Sequence, residues 1–575
     1  MAMAKNFLTI LSATVIAFSA ILLRSRLSTT STGRWAEVFA ADVVVVDATI
    51  YTSDPVLPFA EAMAIRNGRI LRVGNYSDIK DLIGQVTCIL NFEGKVVVPG
   101  FIDSHVHFLY GGLRMGHLEL RGVKSQDKFI EKVKEAMRGK LPGEWVLGSG
   151  WNNDIWGGDL PIASWIDDVT PNNPVWLSRM DGHMGLANTL AMNIAGISKY
   201  THDPIGGTIS KTMDGEPTGL FADSAMKLLL DVIPEASVND RRDALIKASK
   251  YALMRGVTMV VDVGRYFPGE TVDHVWKDLS DVYRWADSAG KMLIRVCLFF
   301  PLQTWSSLAA LIQENGRALS EWLYLGGVKA FFDGSLGSKS ALFYEPYEDD
   351  PNNYGIQVTD FDWLLNMTLA CDKSSLQVAI HAIGDKANDL VLDLYHSVAS
   401  SNGIRDRRFR IEHAQHLVPA TTARFGQQRV IASVQPDHLL DDAGSAEQKI
   451  GAIRAQTGSY LFQSLLSSGA RIAFGSDWPI ADINPLKSIK TALTRRLPNW
   501  KTAWISSERI ALDDALNAYT ISAAHAIFLD HEVGSLSPGK FADFVVFPST
   551  SWEEFADDVP TTVFATYING VQAYP

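Results

Sequence analysis

Through most of its middle the chain alternates short apolar runs with longer amphipathic stretches, a pattern that predicts strands followed by helices. WVLGSG, PVWLSRM, TMVVDVG, MLIRVCLFF, YLGGVKAFFDG, LQVAIHAIGD, FRIEHAQ, VIASVQPD and RIAFGSDWP read as strands. Most are apolar on both faces, as strands buried on both sides must be. RRDALIKASKYALMRG and ADSAMKLLLDVI read as helices between them. Such alternation points to parallel βαβ units, and about eight of them to a closed (β/α)8 barrel.

The two chain ends follow another grammar. ADVVVVDATIYTSD predicts a strand and turn, and MAIRNGRILRVG a hairpin about Asn67-Gly68, where a tight turn needs positive φ. VGSLSPGKFADFVVFPS and TVFATYINGVQAY repeat it with Asn569-Gly570. We therefore expect one small β-sandwich built from residues 36–98 and 526–575, with the barrel over 99–525. That span exceeds the roughly 250 residues typical of such a barrel. An insertion is expected, placed in the Trp- and Gly-rich stretch at about 145–220.

Residues 7–23, FLTILSATVIAFSAILL, carry no charge and precede Arg24 and Arg26. The run is at the short limit for a membrane span and long for a signal core. Residues 1–27 are thus expected to form an apolar helix serving as signal peptide or membrane anchor. An anchor implies a membrane-associated, endomembrane or perinuclear location, and cleavage a secreted or lumenal one. Lys5 and the amino terminus balance Arg24, Arg26 and Arg34, so charge gives no orientation.

Composition narrows the chemistry. The 575 residues are 47% hydrophobic and 20% charged, which is ordinary for a folded chain of several units. A net charge of -12 argues against nucleic acid as a partner. The three cysteines, Cys88, Cys297 and Cys371, lie far apart, so any metal must use His and oxygen ligands.

GFIDSHVHF, residues 100–108, places Asp103, His105 and His107 on alternate positions of a strand, with Ile102, Ser104 and Val106 on the other face. Two imidazoles side by side can hold a divalent ion with a third group from elsewhere. Alone, the pair reads equally as two partly exposed strand-end histidines. Yet Lys329, His381, His413 and Asp477 also fall at predicted strand ends, where such barrels gather their active residues. His416 and His438 lack evident partners and read as satisfied surface histidines.

DSHVHF, VKAFFDGSLGSKSALF, HAIGD, IEHAQ and FGSDWP, in this order, resemble the amidohydrolase superfamily, specifically its YtcJ-like amidohydrolase 3 branch. The resemblance covers nearly the whole chain after residue 40 and implies a TIM-like metal-dependent hydrolase barrel. It implies that His105, His107 and Asp477 bind one metal and His381 and His413 a second, with Lys329 carboxylated by CO₂ as the bridge. One or two divalent ions are expected, zinc first among them. Lys339, ten residues beyond Lys329, is the competing lysine. Asp477 is the expected general base for hydrolysis of a non-peptide, amide-like C–N bond by an activated water, and Asp103 reads as support for the ligands.

GWNNDIWGG and SRMDGHMGLANT resemble the branch's substrate-facing insertions, which places Trp151, Asn152, Asp154 and His183 near the pocket. Equally, Trp151 and Trp156 could fill the insertion's core. The expected partner is a small amide-like molecule, and a homo-oligomer stays open. The alternative from another class is an amidohydrolase-fold signalling or scaffold protein with little turnover, which likeness to a plant member of the branch links to phytochrome A far-red light signalling.

Overall fold

The computed structural model describes residues 40–268, 271–497 and 500–575. Phe101–Val106 (β1), Val257–Asp262 (β2), Arg295–Pro301 (β3), Leu323–Phe331 (β4), Gln377–Ala382 (β5), Arg410–His413 (β6), Ile431–Val434 (β7) and Ile472–Phe474 (β8) form one parallel sheet in chain order. Every residue in the eight is buried, as the apolar runs require.

Alternation sorts these strands into two apolar layers. Val257, Val260, Val296, Leu298, Val378 and Ile380 pack outward in the cluster shared with the surrounding helices. Met259, Val261, Cys297, Phe299, Ala379, Ile431 and Ala473 form an inner cluster, floored by Ala523 and Ala524 of the helix Ile521–Ala526. Ile102 belongs to that inner cluster and Val106 to the outer one. The expectation that the two share the face opposite the histidines therefore fails for Ile102. Two register shifts between β1 and β2 break strict alternation along β1, so residue 102 and His105 both turn inward.

The sheet closes on itself through a seam rather than a full ladder. Asp477 N–H donates to the His105 carbonyl at 2.7 Å, and His107 N–H to the Trp478 carbonyl at 2.8 Å. β1 is thereby sewn to the segment that leaves β8.

WVLGSG and PVWLSRM are not barrel strands. They lie in a separate six-stranded sheet made of Leu118–Glu119, Val146–Trp151, Val175–Arg179, Met184–Ala187, Gly207–Lys211 and Pro217–Asp223. This sheet enters between β1 and β2 and begins well before residue 145. Its own core includes Leu120, Phe129, Trp151, Leu177 and Leu186. Local apolarity could not separate it from the barrel, because a strand in either sheet buries both faces. ADSAMKLLLDVI is likewise not one helix: its start finishes the last of these strands, and only Lys227–Leu230 is α-helical.

Both chain ends meet in two packed sheets. One joins Val43–Val46, Ala62–Arg66, Arg69–Gly74 and Cys88–Asn91, and the other joins Thr49–Tyr51, Phe59–Ala60, Val96–Pro99, Phe544–Val546, Ala565–Ile568 and Val571–Tyr574. Val45, Ile65, Ile50, Val97, Phe544 and Tyr567 share their core. Asn67-Gly68 and Asn569-Gly570 turn with positive φ, as expected. Arg295 of β3 is fully buried and grips Asp543 bidentately at 2.7 and 3.0 Å, tying the barrel to this unit.

The apolar segment 7–23 lies outside the described residues. Among the described residues, no helix is long and apolar enough to cross a membrane.

His107 opens the helix Phe108–Arg114 (α1), which packs on Val238–Leu253 (α2). Two glycines permit the approach. A Cβ on Gly112 would stand 2.4 Å from the Ala244 carbonyl oxygen, and one on Gly111 2.3 Å from the Trp478 ring. Gly112→Ala is expected to destabilise the protein by about 1–3 kcal/mol in urea unfolding. Gly116→Ala, whose Cβ would meet nothing closer than 3.8 Å, is expected to change stability by no more than about 0.5 kcal/mol.

Candidate metal and active site

The C-terminal ends of the barrel strands gather the polar residues expected there. β1 delivers His105 and, one residue beyond its end, His107; β4 delivers Lys329, β5 His381 and β6 His413, while Asp477 follows β8. His105, His413 and Asp477 each offer a ligand atom within 4.8 Å of the others. Asp477 Oδ1 lies 3.4 Å from His105 Nε2 and 3.5 Å from His107 Nε2. The His381 ring centroid is 4.5 Å from that of His413. Lys329 is fully buried, with Nζ 4.6 Å from the Phe331 ring centroid. The competing Lys339 is partly exposed and paired with Asp349 at 2.9 Å.

Each histidine is oriented by a hydrogen bond from its far ring nitrogen. His105 Nδ1 donates to Glu412 Oε2 at 2.5 Å, His107 Nδ1 to the Gly264 carbonyl at 2.7 Å, and His413 Nδ1 to Gln435 Oε1 at 2.7 Å. His381 uses Nε2 instead, donating to the Gly334 carbonyl at 3.0 Å. A proton fixed on one nitrogen leaves a lone pair on the other, the form that ligates metal. Among the described residues His105 Nε2, Lys329 Nζ and Asp477 Oδ1 are buried without a hydrogen-bond partner. Orphaned polar atoms are costly in a folded interior, and here they converge. The donor set therefore suits a divalent cation.

The electrostatics are those of a dry site. Burial drives His107 down to about 3 and holds His381 and His413 well below the usual histidine range, so these rings are neutral. Burial and Lys329 disfavour a proton on His105, but the carboxylates of Glu412 and Asp477 outweigh them. Burial opposes ionisation of Asp477 too, yet the surrounding histidines, His105 foremost, keep it well below the ordinary carboxylate value. Lys329 is pushed down to about 8 by burial. Asp103, raised to about 7 by burial, accepts from the backbone N–H of Ser476 at 2.9 Å and of His105 at 3.3 Å. Through these two backbone contacts it supports the closing seam.

Two residues here carry left-handed backbone, His413 at φ 77° and Asp477 at φ 56°. Strain of this kind collects at functional sites. In regular strand geometry Glu412 and His413 would face opposite ways; the turn at His413 lets both serve the site.

Further residues form the mouth. Asn152, Asp154 and His183 line it, together with Arg179, Asp181, His438, Asp441 and Asp442. His183 Nδ1 meets Asp223 at 2.7 Å, and its ring lies 5.0 Å from His381. Arg179, buried, holds Asp154 at 3.0 Å and Asp181 at 2.7 Å. Trp151 does not reach the mouth. It is fully buried in the insertion core, its indole N–H bonded to the Leu177 carbonyl at 2.7 Å.

His438 is no surface residue. Its ring stacks on His413 at 5.8 Å and its Nε2 lies 3.8 Å from Asp477 Oδ2. His416 is also buried, satisfied by Ser459 at 3.0 Å and packed on Phe343. Sequence reading missed Glu412 as well, although Arg410 and Glu412 stand two apart on one strand face, a spacing that signals a paired buried charge.

Comparison with known proteins agrees with the geometry. A family model described as "Amidohydrolase family" matches residues 89–574. The chain is 62% identical over 535 residues to Protein LONG AFTER FAR-RED 3 of Arabidopsis thaliana, covering 93% of this chain and 92% of the relative. It is 31% identical to YtcJ of Bacillus subtilis (strain 168), covering 89% and 96% respectively. It is 27% identical to an N-substituted formamide deformylase of Arthrobacter pascens, covering 93% and 98%. Among solved structures, an uncharacterized metal-dependent hydrolase from Pyrococcus horikoshii OT3 superimposes with a TM-score of 0.70 at 27% identity, covering 88% of this chain and 97% of that one.

Gln435→Met removes the acceptor that orients His413 while keeping volume. It is expected to weaken the affinity for added zinc about 10- to 100-fold in chelator competition and, because the buried His413 N–H loses its acceptor, to lower stability by about 1–3 kcal/mol.

Proposed function

The chain belongs to the amidohydrolase family, and on that footing we propose that it is a metal-dependent hydrolase of a non-peptide, amide-like C–N bond. The observation carrying this reading is the convergence of the unpartnered buried atoms of His105, Lys329 and Asp477 beside three histidines whose far nitrogens are already engaged. A scaffold has no need of such a costly arrangement.

In this reading His105, His107, His381, His413 and Asp477 hold one or two divalent ions, zinc first among them. A bound ion supplies Lewis acidity toward the scissile carbonyl and the attacking water. Asp477 accepts the water's proton and returns it to the departing amine as the C–N bond breaks. His183, steadied by Asp223, faces the substrate. Burial holds Lys329 near the range where a neutral amine is accessible, and that amine can add to CO₂, lose a proton and become an anionic carbamate.

Trp151 lies in the insertion core and does not line the pocket. Asp154 and Asp181, paired with Arg179 and Lys449, line the mouth together with Asp441 and Asp442, which burial raises to about 6 and about 7; this favours a substrate with a polar substituent on nitrogen. The 27% identical formamide deformylase supports N-formyl and N-acyl amines as the first compounds to screen.

The 62% identity to a plant protein named for far-red light supports a second reading, in which signalling is the physiological role and turnover is slight. A variant carrying His105→Asn and His107→Asn that still restored far-red responses in a plant lacking that relative would favour it.

Anaerobic, chelator-free purification is expected to yield at least one equivalent of divalent metal, and His105→Asn with His107→Asn to lose it; less than half an equivalent in the parent would sink the hydrolase reading. Asp477→Asn is expected to lower kcat about 10²- to 10⁴-fold on any amide substrate identified in the screen. Intact mass in neutral buffer is expected to exceed the acid-treated mass by one CO₂, with Lys329→Met abolishing the difference.

We propose further that residues 7–23 tether the chain to an endomembrane. Carbonate extraction is expected to leave the full chain in the membrane pellet, whereas a mature chain beginning after residue 27 would replace the tether with a cleaved signal.

A further inference from the structure

A second cavity of about 600 Å³ opens between α1, one face of the insertion sheet and the segment 227–236. That volume is within the roughly 300–1,000 Å³ of small-molecule sites. It shares no lining residue with the barrel mouth. Leu147, Trp176 and Leu230 give it an apolar wall.

Its charges are unequal in kind. Lys227 pairs with Asp231 at 2.7 Å, and Arg265 with Asp278 at 2.7 Å and Glu235 at 3.1 Å. Arg114 is the exception. It is 9% exposed and lines the cavity, and among the described residues it forms no close ion pair: Tyr110 lies under its guanidinium at 5.4 Å and bonds to it through its side chain, while the Glu119 carboxylate acts on it only from beyond contact. Burial lowers its affinity for its proton, and nearby His117, pushed down to about 4 by burial, adds no charge at neutral pH. A cation in the last turn also suits the end of α1, but that role does not require withdrawing it from water. A guanidinium withdrawn from water with no carboxylate in contact keeps donors to spare, and a planar anion satisfies their fork.

We propose that this cavity is a binding site for a small organic carboxylate, whose carboxylate meets Arg114 and whose apolar body lies along Trp176 and Leu230. The site does not depend on the hydrolase reading. Tyr110, on its wall, packs at 5.1 Å on Phe267, whose ring stacks at 3.8 Å on His107, so an occupant would border the barrel mouth without entering it.

The test uses 4-bromophenylacetate and its neutral amide, titrated calorimetrically into the purified full chain freed of metal, with crystals soaked in each. Expected are one carboxylate site, bromine anomalous density in this cavity, and affinity for the amide at least tenfold weaker. Arg114→Met is expected to weaken the carboxylate at least tenfold, and Leu230→Trp, which fills the cavity and keeps the charge, to do the same. Should Arg114→Met fail to fold, Leu230→Trp and the amide decide. Equal affinity for acid and amide, unchanged affinity in Leu230→Trp, or bromine found only in the barrel mouth would overturn the proposal.

Discussion

Glu412 is a carboxylate with no exposed surface in the middle of a barrel, and the site is arranged around keeping it ionised. Burial alone would neutralise it, but Arg410 grips it at 2.7 and 3.1 Å, and His105 donates to it from the other side, so it is held well below the usual carboxylate range. Arg410 then reaches the Ser104 carbonyl at 2.7 Å and Ser433 Oγ at 3.0 Å. One buried pair thus links β1, β6 and β7. Removing either partner of such a pair typically costs about 3–5 kcal/mol, because the other charge stays behind. The same contact sets the tautomer of His105, so fold and ligand geometry share one interaction.

The closing seam has the same double character. A parallel sheet becomes a barrel only if its first and last strands meet, and here the meeting is made by the backbone of His105, His107, Asp477 and Trp478. Closing the barrel therefore brings the Asp477 carboxylate to the two imidazoles. The positive φ at Asp477 and at His413 is the local strain that this convergence requires, borne by a scaffold whose strands are buried throughout.

The insertion completes what the barrel begins. It contributes Asn152, Asp154, Arg179, Asp181 and His183 to the mouth while keeping its large aromatics, Trp151 among them, in its own core. Polar residues face the barrel and apolar ones face inward, so of the two places the sequence left open for Trp151 the fold takes the insertion core. Where the insertion's opposite face meets α1, Arg114 lines a cavity with an apolar wall and has no carboxylate in contact.

Much was legible before folding. The strand-helix alternation, the two Asn-Gly hairpins and the strand-end positions of His105, His107, Lys329, His381, His413 and Asp477 follow from periodicity and turn chemistry, which act over a few residues. What the sequence could not determine involves partners far apart along the chain. WVLGSG and PVWLSRM look like barrel strands because burial on both faces leaves the same local signature in either sheet. Ile102 turns inward because of register shifts against β2, and His438 joins the site only because the short helix His438–Asp442 folds back beside His413 and Asp477. Glu412 is an ordinary charge in sequence, and desolvation in the closed barrel gives it an obligatory partner while it leaves Lys329 buried without one. Sequence alone determined which residues stand at the strand ends. Only the tertiary structure decided which of them meet, because burial and charge pairing depend on distances that the chain sets when the barrel closes.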